Sequence, residues 1–333
     1  MKNKTLFFEY ISQYLNVYCL KQASKSINTI ESYRDNFTIF RRFILDIKKK
    51  KIKQFYMDDC TKDLILEYVE YLREGNRKNS TINHHVSAIK GYLFYVADIN
   101  IEYQSLALAV SHIPSFRKPT TDKECLDNTA LKLIFEAPKK NKIGIRNITI
   151  MVLLYETAMR VSEIINLKIS DLHLNVKEPY CLVHGKGDKE RIIGLSNTAI
   201  DHINNQINLY HKHNECEYLF YTSIKGINNK LSTSTIETFL QKYADQIRLE
   251  YNNIPKRVYP HMFRRSRATH LYQDGIPLEL ISRMLGHSQI DTTKIYAKPS
   301  IEMLRKAVEN DDEANITPEW DDEDEVALMF GLR

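Results

Sequence analysis

Apolar residues in the first third of the chain recur at the three- and four-residue spacing of helices that bury one face. Such segments cover residues 7–18, 30–44, 64–72 and 86–95. Ser80 and Thr81 stand where the fourth helix would be capped. Because the repeat is close to that of an α-helix, the pattern predicts a four-helix module over residues 1–112. A module of this kind suits protein contacts as well as DNA binding, so the pattern leaves both open.

Beyond residue 122 the pattern changes to helices that alternate with one pair of short strands. Segments 180–184 and 191–195 are joined by a Gly-Lys-Gly-Asp turn, which predicts a β-hairpin with Lys186 at its tip. Helical spacing covers residues 197–210, 234–249, 265–273, 277–285 and 300–308. Residues 113–122 contain two prolines and two cations among polar residues, a composition typical of a linker. We therefore expect a mainly α fold with a second domain over residues 123–310.

Length and composition fit a globular protein rather than a membrane or disulfide-rich one. The chain has 333 residues, of which 43% are hydrophobic. Its apolar runs are far shorter than the about 20 residues that a membrane-spanning helix needs, and no signal-type apolar core follows the first residues. We therefore expect a cytoplasmic protein. The five cysteines are scattered without a CxxC pair, so neither a disulfide framework nor a metal site is indicated, and no cofactor is expected.

Charge is distributed unevenly along the chain. The net charge is +5, yet residues 307–333 carry ten acids and one arginine, a balance of −9, which leaves +14 for residues 1–306. A body this basic suits a polyanion, although a lysine-rich solvated surface would give the same count. The motifs have to decide between these interpretations.

Six residues in the second half have the chemistry needed to cleave a phosphodiester without a metal. They are Arg160, Lys186, His261, Arg264, His287 and Tyr296, and the last four fall within 36 residues. The reaction requires neutralisation of two phosphate oxygens, an activated nucleophile and a proton for the departing 5′-oxygen. Guanidinium groups grip phosphate bidentately and stay charged, so Arg160 and Arg264 are the candidate clamp.

The remaining candidates supply proton transfer and the nucleophile. Lys186, on a hairpin tip, can donate a proton to the leaving oxygen if nearby guanidinium groups depress its pKa. His261 and His287 can hydrogen-bond the phosphate or accept the phenol proton, because the pKa of histidine lies nearest neutrality. Tyr296 can then attack the phosphorus and hold it as a phosphotyrosine.

Each of these residues also has an ordinary structural interpretation. Arg160 can be the ion-pair partner of Glu163, and Gly-Lys-Gly can be no more than a hairpin turn. Tyr296 is one of 20 tyrosines, and a single His-x-x-Arg pattern arises by chance. The order and spacing of all six residues together favour the catalytic interpretation.

The ordered set resembles the tyrosine recombinase family, which includes phage integrases and Xer-type recombinases. The resemblance rests on segments 156–167, 184–195, 260–271 and 285–296 in the second half, and on segments 26–33 and 79–90 in the first. It implies a helical SAM-like core-binding domain that binds DNA, followed by an α-rich catalytic domain. Many relatives have a histidine where this chain has Arg265, a departure that spares the six catalytic positions.

The resemblance implies a site-specific recombinase or integrase of a mobile element. Such an enzyme binds double-stranded DNA with inverted-repeat core sites, forms a 3′-phosphotyrosyl intermediate, and works as a tetramer on two duplexes through a Holliday junction, with directionality or host architectural factors as further partners. Two rivals use the same active site, a type IB topoisomerase and a telomere resolvase. A third alternative is a catalytically silent DNA-binding accessory protein.

The end of the chain, residues 311–333, combines acids with an apolar cluster. Acids alone would indicate a disordered solubilising tail. However, Trp320 is the only tryptophan, and residues 326–332 contain five large apolar side chains that are costly to leave in water. In the family, the segment after the nucleophile commonly docks on a neighbouring catalytic domain, so docking is the second interpretation of this tail.

Overall fold

The computed structural model describes residues 4–117, 124–185, 190–212, 214–286, 291–294, 299, 303 and 305. The chain divides into two compact units, Met1–Asp122 and Lys123–Arg333. Helices dominate both units, and the strands found in the described part of the chain belong to the second. Every helix in that part is too short or too polar to cross a membrane.

The first unit is built from helices. They are α1 (Ile11–Gln13), which continues as a π-helix (Tyr14–Gln22), then α2 (Ile27–Asp46), α3 (Lys62–Glu74), α4 (Asn79–Ile99) and α5 (Gln104–Ser111), with 3₁₀ turns at Ile52–Gln54, Met57–Asp59 and Ile101–Tyr103. The four predicted helices are present. The predicted cap at Ser80 and Thr81 is wrong, because Lys78 has the extended backbone of an N-cap and the helix already begins at Asn79. The short helix α5 was not predicted, since its eight residues are too few to show a repeat.

Aromatic rings fill the core of the first unit. Phe7, Phe40, Tyr68 and Tyr92 are fully buried, and the rings of Phe40 and Tyr68 meet edge to face at 4.9 Å between centroids. The hydroxyl of Tyr92 donates a hydrogen bond of 2.5 Å to the carbonyl of Phe7, and the hydroxyl of Tyr68 lies 2.9 Å from Nδ1 of the buried His85. The core thus buries neutral groups, with each of these polar atoms paired.

The end of the first unit is held on helix α4. The amide of Asn83 accepts from the backbone N–H of Phe116 at 2.8 Å and donates to its carbonyl at 2.9 Å. The ammonium of Lys90 donates to the carbonyls of Ser111 and Ile113. Residues 113–117, which the sequence assigns to the linker, are therefore bound to this helix.

The second unit consists of helices and two small antiparallel sheets. The elements are α6 (Asn128–Glu136), α7 (Lys142–Glu156), α8 (Val161–Asn166), β1 (Leu172–His173), β2 (Tyr180–His184), β3 (Glu190–Gly194), α9 (Asn197–Tyr210), β4 (Tyr221–Ile224), β5 (Ile227–Lys230), α10 (Thr233–Ile247), α11 (Pro260–Gln273), α12 (Leu278–Leu285) and α13 (Asp291–Lys294). Strands pair in the orders β1-β2-β3 and β4-β5. A continuous apolar core includes Ile150, Leu153, Ile193, Leu240 and Phe263.

The predicted hairpin is confirmed, with Tyr180 opposite Gly194 and His184 opposite Glu190. The hairpin formed by β4 and β5 was missed, because β5 is exposed along its whole length and the four residues of β4 are too few to show a clear apolar alternation. Helix α11 begins at Pro260 rather than at residue 265, since proline suits the first helical position and needs no backbone hydrogen bond there. Of the predicted helix 300–308, residues 303 and 305 are described, and both are helical.

Candidate functional site

Arg160 lies at the N-cap of α8, after a turn with unusual backbone geometry. Ala158 has a φ of 50°, in the left-handed region that side chains other than glycine rarely occupy, and it is fully buried. The backbone N–H of Arg160 donates to Oε2 of Glu163 at 2.7 Å, and its Nη1 donates to Oε1 at 2.9 Å. The ion pair considered from the sequence is thus formed. The side chain of Arg160 nevertheless remains 40% exposed, which leaves it accessible to a ligand.

Glu163 is a buried carboxylate held between two arginines. Nη1 of Arg191 donates to Oε1 at 2.9 Å and Nη2 donates to Oε2 at 2.8 Å, so this second guanidinium binds the carboxylate bidentately. Burial would raise the pKa of Glu163, but hydrogen bonds from Arg191 and from the backbone N–H of Arg160 hold this pKa below its ordinary value. Glu163 is therefore ionised at neutral pH.

Arg264 connects the turn before Arg160 to the end of α12. Its side chain is fully buried. Nη1 donates to the carbonyl of Ala158 at 2.6 Å, and Nη2 donates to the carbonyl of Leu285 at 2.5 Å. Ala158 precedes Arg160 by two residues, and Leu285 precedes His287 by two. One guanidinium thus brings together three separate segments of the sequence that contain candidate catalytic residues.

His261 is the second residue of α11 and lies three residues before Arg264. Residues at this spacing occupy one face of a helix. The His261 side chain is exposed, whereas Arg264 is buried. The helix therefore presents a titratable ring at the surface near the buried guanidinium.

Lys186, His287 and Tyr296 lie outside the described residues. Their described neighbours are the ends of the hairpin, at Gly185 and Glu190, and Gly286, which ends α12 in the left-handed conformation with a φ of 64°. The structure thus brings the turn before Arg160 against Arg264 on α11, the helix that also carries His261, and the roles of all six residues stay predictions from the sequence.

Arg191 is a site residue that the sequence reasoning missed. The sequence alone does not show which face of the strand it occupies, because Ile192 and Ile193 are both apolar. Side chains alternate along a strand, so Arg191 shares a face with the buried Ile193, whereas Ile192 between them is 66% exposed. A cation on the inward face of a strand needs a buried acceptor, and Glu163 is that acceptor.

Arg265, at which the sequence departs from the pattern of the family that it resembles, makes hydrogen bonds within the second unit. It is buried, and its guanidinium donates to the carbonyl of Glu124 at 2.9 Å and to the hydroxyl of Tyr259 at 3.2 Å. These bonds tie the start of the second unit to α11. Among the described residues there is no cluster of three side chains suited to hold a metal ion.

Two family models match the chain. The model of the phage integrase family matches residues 124–303, and that of the phage integrase SAM-like domain matches residues 6–95. The chain is 31% identical over 276 residues to the tyrosine recombinase XerD of Oceanobacillus iheyensis, covering 81% of this chain and 87% of that protein. It is 30% identical over 310 residues to the tyrosine recombinase XerA of Pyrococcus furiosus, covering 93% and 96%.

Solved structures with similar folds carry DNA. The XerH site-specific recombinase, bound to a palindromic difH substrate after cleavage, has a TM-score of 0.67 at 23% identity, with 89% of this chain and 84% of that chain covered. The Tn1549 transposon integrase in complex with a circular intermediate DNA has a TM-score of 0.68 at 17% identity, covering 92% and 100%. A lambda integrase tetramer bound to a Holliday junction has a TM-score of 0.65 at 15% identity, covering 89% and 78%. At these identities the structures establish a shared fold.

Proposed function

Because the chain belongs to the phage integrase family of tyrosine recombinases, we propose that it cleaves and rejoins DNA at specific sites through a covalent bond to Tyr296. The catalytic residues in this proposal are Arg160, Lys186, His261, Arg264, His287 and Tyr296. The observation that carries the proposal is the buried guanidinium of Arg264, which binds the carbonyls of Ala158 and Leu285. Those bonds gather, around one charge, segments that are far apart in the sequence.

The reaction consists of two transesterifications. The phenol oxygen of Tyr296 attacks the phosphorus, the bond to the 5′-oxygen breaks, and Lys186 gives that oxygen a proton. The DNA is then held as a 3′-phosphotyrosyl ester. A 5′-hydroxyl of a partner strand attacks the same phosphorus and returns Tyr296 to its free form. Each step exchanges one phosphodiester for another, so the bond energy is conserved and no nucleotide is consumed.

The arginines stabilise the charge that develops on the phosphate. Arg160 is the exposed member, placed by Glu163 at the start of α8. Arg264 is buried and donates to the carbonyls of Ala158 and Leu285, and in this proposal its charge is the second member of the clamp on the phosphate. His261, and His287 beyond the described residues, accept the phenol proton or hydrogen-bond the phosphate.

The partner that we propose is double-stranded DNA with inverted core sites, bound by four copies of the chain on two duplexes. The basic charge of residues 1–306 supports a polyanionic partner. The XerH and Tn1549 integrase structures contain DNA, and lambda integrase forms a tetramer on a Holliday junction. We extend the same assembly to this chain, with the first unit as core-binding domain, residues 113–122 as linker and residues 123–310 as catalytic domain.

We also propose the cell compartment and the biological task of the reaction. A recombinase works in the compartment that holds its DNA, so we place this one in the cytoplasm. Similarity to a transposon integrase supports transposition or integration of a mobile element as its task. Directionality or host architectural factors are further partners in this proposal.

Residues 311–333 lie outside the described residues, and we propose that their apolar part docks on a catalytic domain of the assembly. Burying Trp320 and residues 326–332 would remove apolar surface from water. Deleting residues 314–333 should leave binding to a single site intact while synapsis and coordinated strand exchange decline. A truncated protein that recombines like the full chain would reduce the segment to a solubilising tail.

A nicked suicide substrate tests the proposed function directly, because the released short strand cannot return and the covalent complex accumulates. Wild-type protein should form a DNA adduct that peptide mapping assigns to Tyr296. Tyr296→Phe, which removes one oxygen, should bind the same DNA and form no adduct. A silent DNA-binding protein would give binding without an adduct, and an adduct on another tyrosine would move the nucleophile. Relaxation of supercoiled DNA without exchange would instead indicate a topoisomerase.

A further inference from the structure

We infer that Arg191 is a positioning residue, which fixes the Arg160 guanidinium through Glu163 and anchors the pair to the turn before His287. This inference rests on the proposed function. Arg191 lies in β3, opposite Val183, in the hairpin whose turn contains Lys186. Its side chain is only 13% exposed and is bonded to Glu163 and Met284, so we expect it to act through these groups.

The first contact of Arg191 is the carboxylate of Glu163. Each carboxylate oxygen accepts one hydrogen bond from Arg191 and one from Arg160, at distances between 2.7 and 2.9 Å. Two bonds from a planar fork fix the orientation of a carboxylate, which a single bond does not. The oxygen that receives Nη1 of Arg160 is therefore held in place by Arg191.

The second contact is the end of α12. Nε of Arg191 donates to the carbonyl of Met284 at 3.1 Å. A Cβ placed on Gly286 would lie 3.1 Å from Cδ of Arg191 and 3.3 Å from its Nε, so the side chain packs directly against this glycine. Gly286 immediately precedes His287. The same guanidinium thus touches the turn that leads to a second catalytic residue.

If Arg191 only neutralised the buried carboxylate of Glu163, its charge alone would be enough. Positioning that carboxylate also requires the two parallel N–H donors of the guanidinium. Arg191→Lys separates the two, because lysine keeps the charge and loses the planar pair of donors. Arg248→Lys is the matched control in the same unit, since Arg248 also donates to backbone carbonyls, those of Pro255 and Lys256, and is not one of the proposed catalytic residues.

The test measures single-turnover cleavage of the suicide substrate at saturating DNA, together with thermal unfolding of the full chain. Arg191→Lys should cleave about 10- to 100-fold more slowly, the loss expected of a misplaced catalytic group, while it stays folded at the assay temperature and binds DNA like the wild type. Arg248→Lys should cleave at the wild-type rate. Equal cleavage by Arg191→Lys and wild type would overturn the inference, and an inactive wild type would instead overturn the proposed function.

A double-mutant cycle asks whether Arg191 acts through Arg160. In an Arg160→Ala background, Arg191→Lys should lower cleavage by no more than about twofold, because the group that it positions is gone. Independent, multiplying losses would contradict this route. If Arg191→Lys fails to fold, Arg191→Gln combined with Glu163→Gln removes both charges and the fork. Wild-type cleavage by that folded double variant would likewise contradict the inference.

Discussion

The first unit buries aromatic rings and neutral polar groups, whereas the second buries charged side chains around its candidate site. In the first, Phe40 and Tyr92 pack in the core and His85 shares a hydrogen bond with Tyr68. In the second, Arg264 and Glu163 are buried and bonded to carbonyls or to other charges. Burying charge costs more than burying rings, so ionised groups persist in a core where chemistry requires them. The first unit is built for packing, and the second also for fixed charge.

The largest expected effect comes from removing the buried charge. Arg264→Met would leave the carbonyls of Ala158 and Leu285 without this donor, and each unsatisfied buried acceptor costs about 1–3 kcal/mol. We expect the second unit to lose about 2–6 kcal/mol of stability. Hydrogen exchange resolved by peptide should show this loss confined to the second unit.

Phe40→Leu is the control for the first unit, since it removes ring packing without touching a charge. It should loosen the first unit and leave exchange in the second unchanged. A stable second unit in Arg264→Met would show that the buried guanidinium does not organise this core.

The next effect is a pH dependence located in the first unit. Burial lowers the pKa of His85 from 6.5 to about 4. Below pH 6.5 this histidine takes up a proton in the unfolded chain but stays neutral in the folded chain. Its contribution to the free energy of unfolding is therefore fully present above pH 6.5 and is lost as the pH drops toward 4. In this range the free energy of unfolding should fall by up to about 1.4 kcal/mol per pH unit.

His85→Gln keeps a neutral hydrogen-bonding group and should flatten this part of the profile. His112→Gln, at an exposed histidine outside α4, should leave it unchanged. The pH profiles of both variants are measured by urea unfolding of the full chain between pH 4 and 7. Hydrogen exchange in α4 then shows whether the change arises in this helix. Identical profiles for His85→Gln and wild type would remove His85 as the cause.

The smallest effect concerns backbone strain beside Arg160. Ala158 and Ala268 belong to one buried cluster, but Ala158 has positive φ and Ala268 lies inside α11. Glycine in a helix interior costs about 1 kcal/mol, whereas at positive φ glycine relieves a penalty of about 1–2 kcal/mol. Ala268→Gly should therefore lower the free energy of unfolding clearly more than Ala158→Gly. Equal losses in denaturant unfolding would show that Ala158 is not strained.

The two units also differ in how far the sequence predicted them. Apolar spacing identified the four long helices of the first unit, because each buries one regular face. In the second unit, the hairpin and α9 followed from their patterns, whereas the short strand β4 and the exposed strand β5 showed no clear apolar alternation. For the site, the sequence indicated Arg160 and Arg264 and considered Glu163 as an ion-pair partner. It did not indicate Arg191, because its contact joins residues 28 positions apart.

At the candidate site, Arg160 is proposed to stabilise charge and Lys186 to donate the proton. A substrate with sulfur in place of the 5′-bridging oxygen tests this division most directly. A sulfur leaving group needs no proton. Lys186→Ala should therefore cleave ordinary DNA far more slowly than wild type and regain rate on the sulfur substrate. Arg160→Ala should stay impaired on both, because its task is to stabilise charge. Equal defects of Lys186→Ala on the two substrates, or rescue of Arg160→Ala by sulfur, would contradict this division of roles.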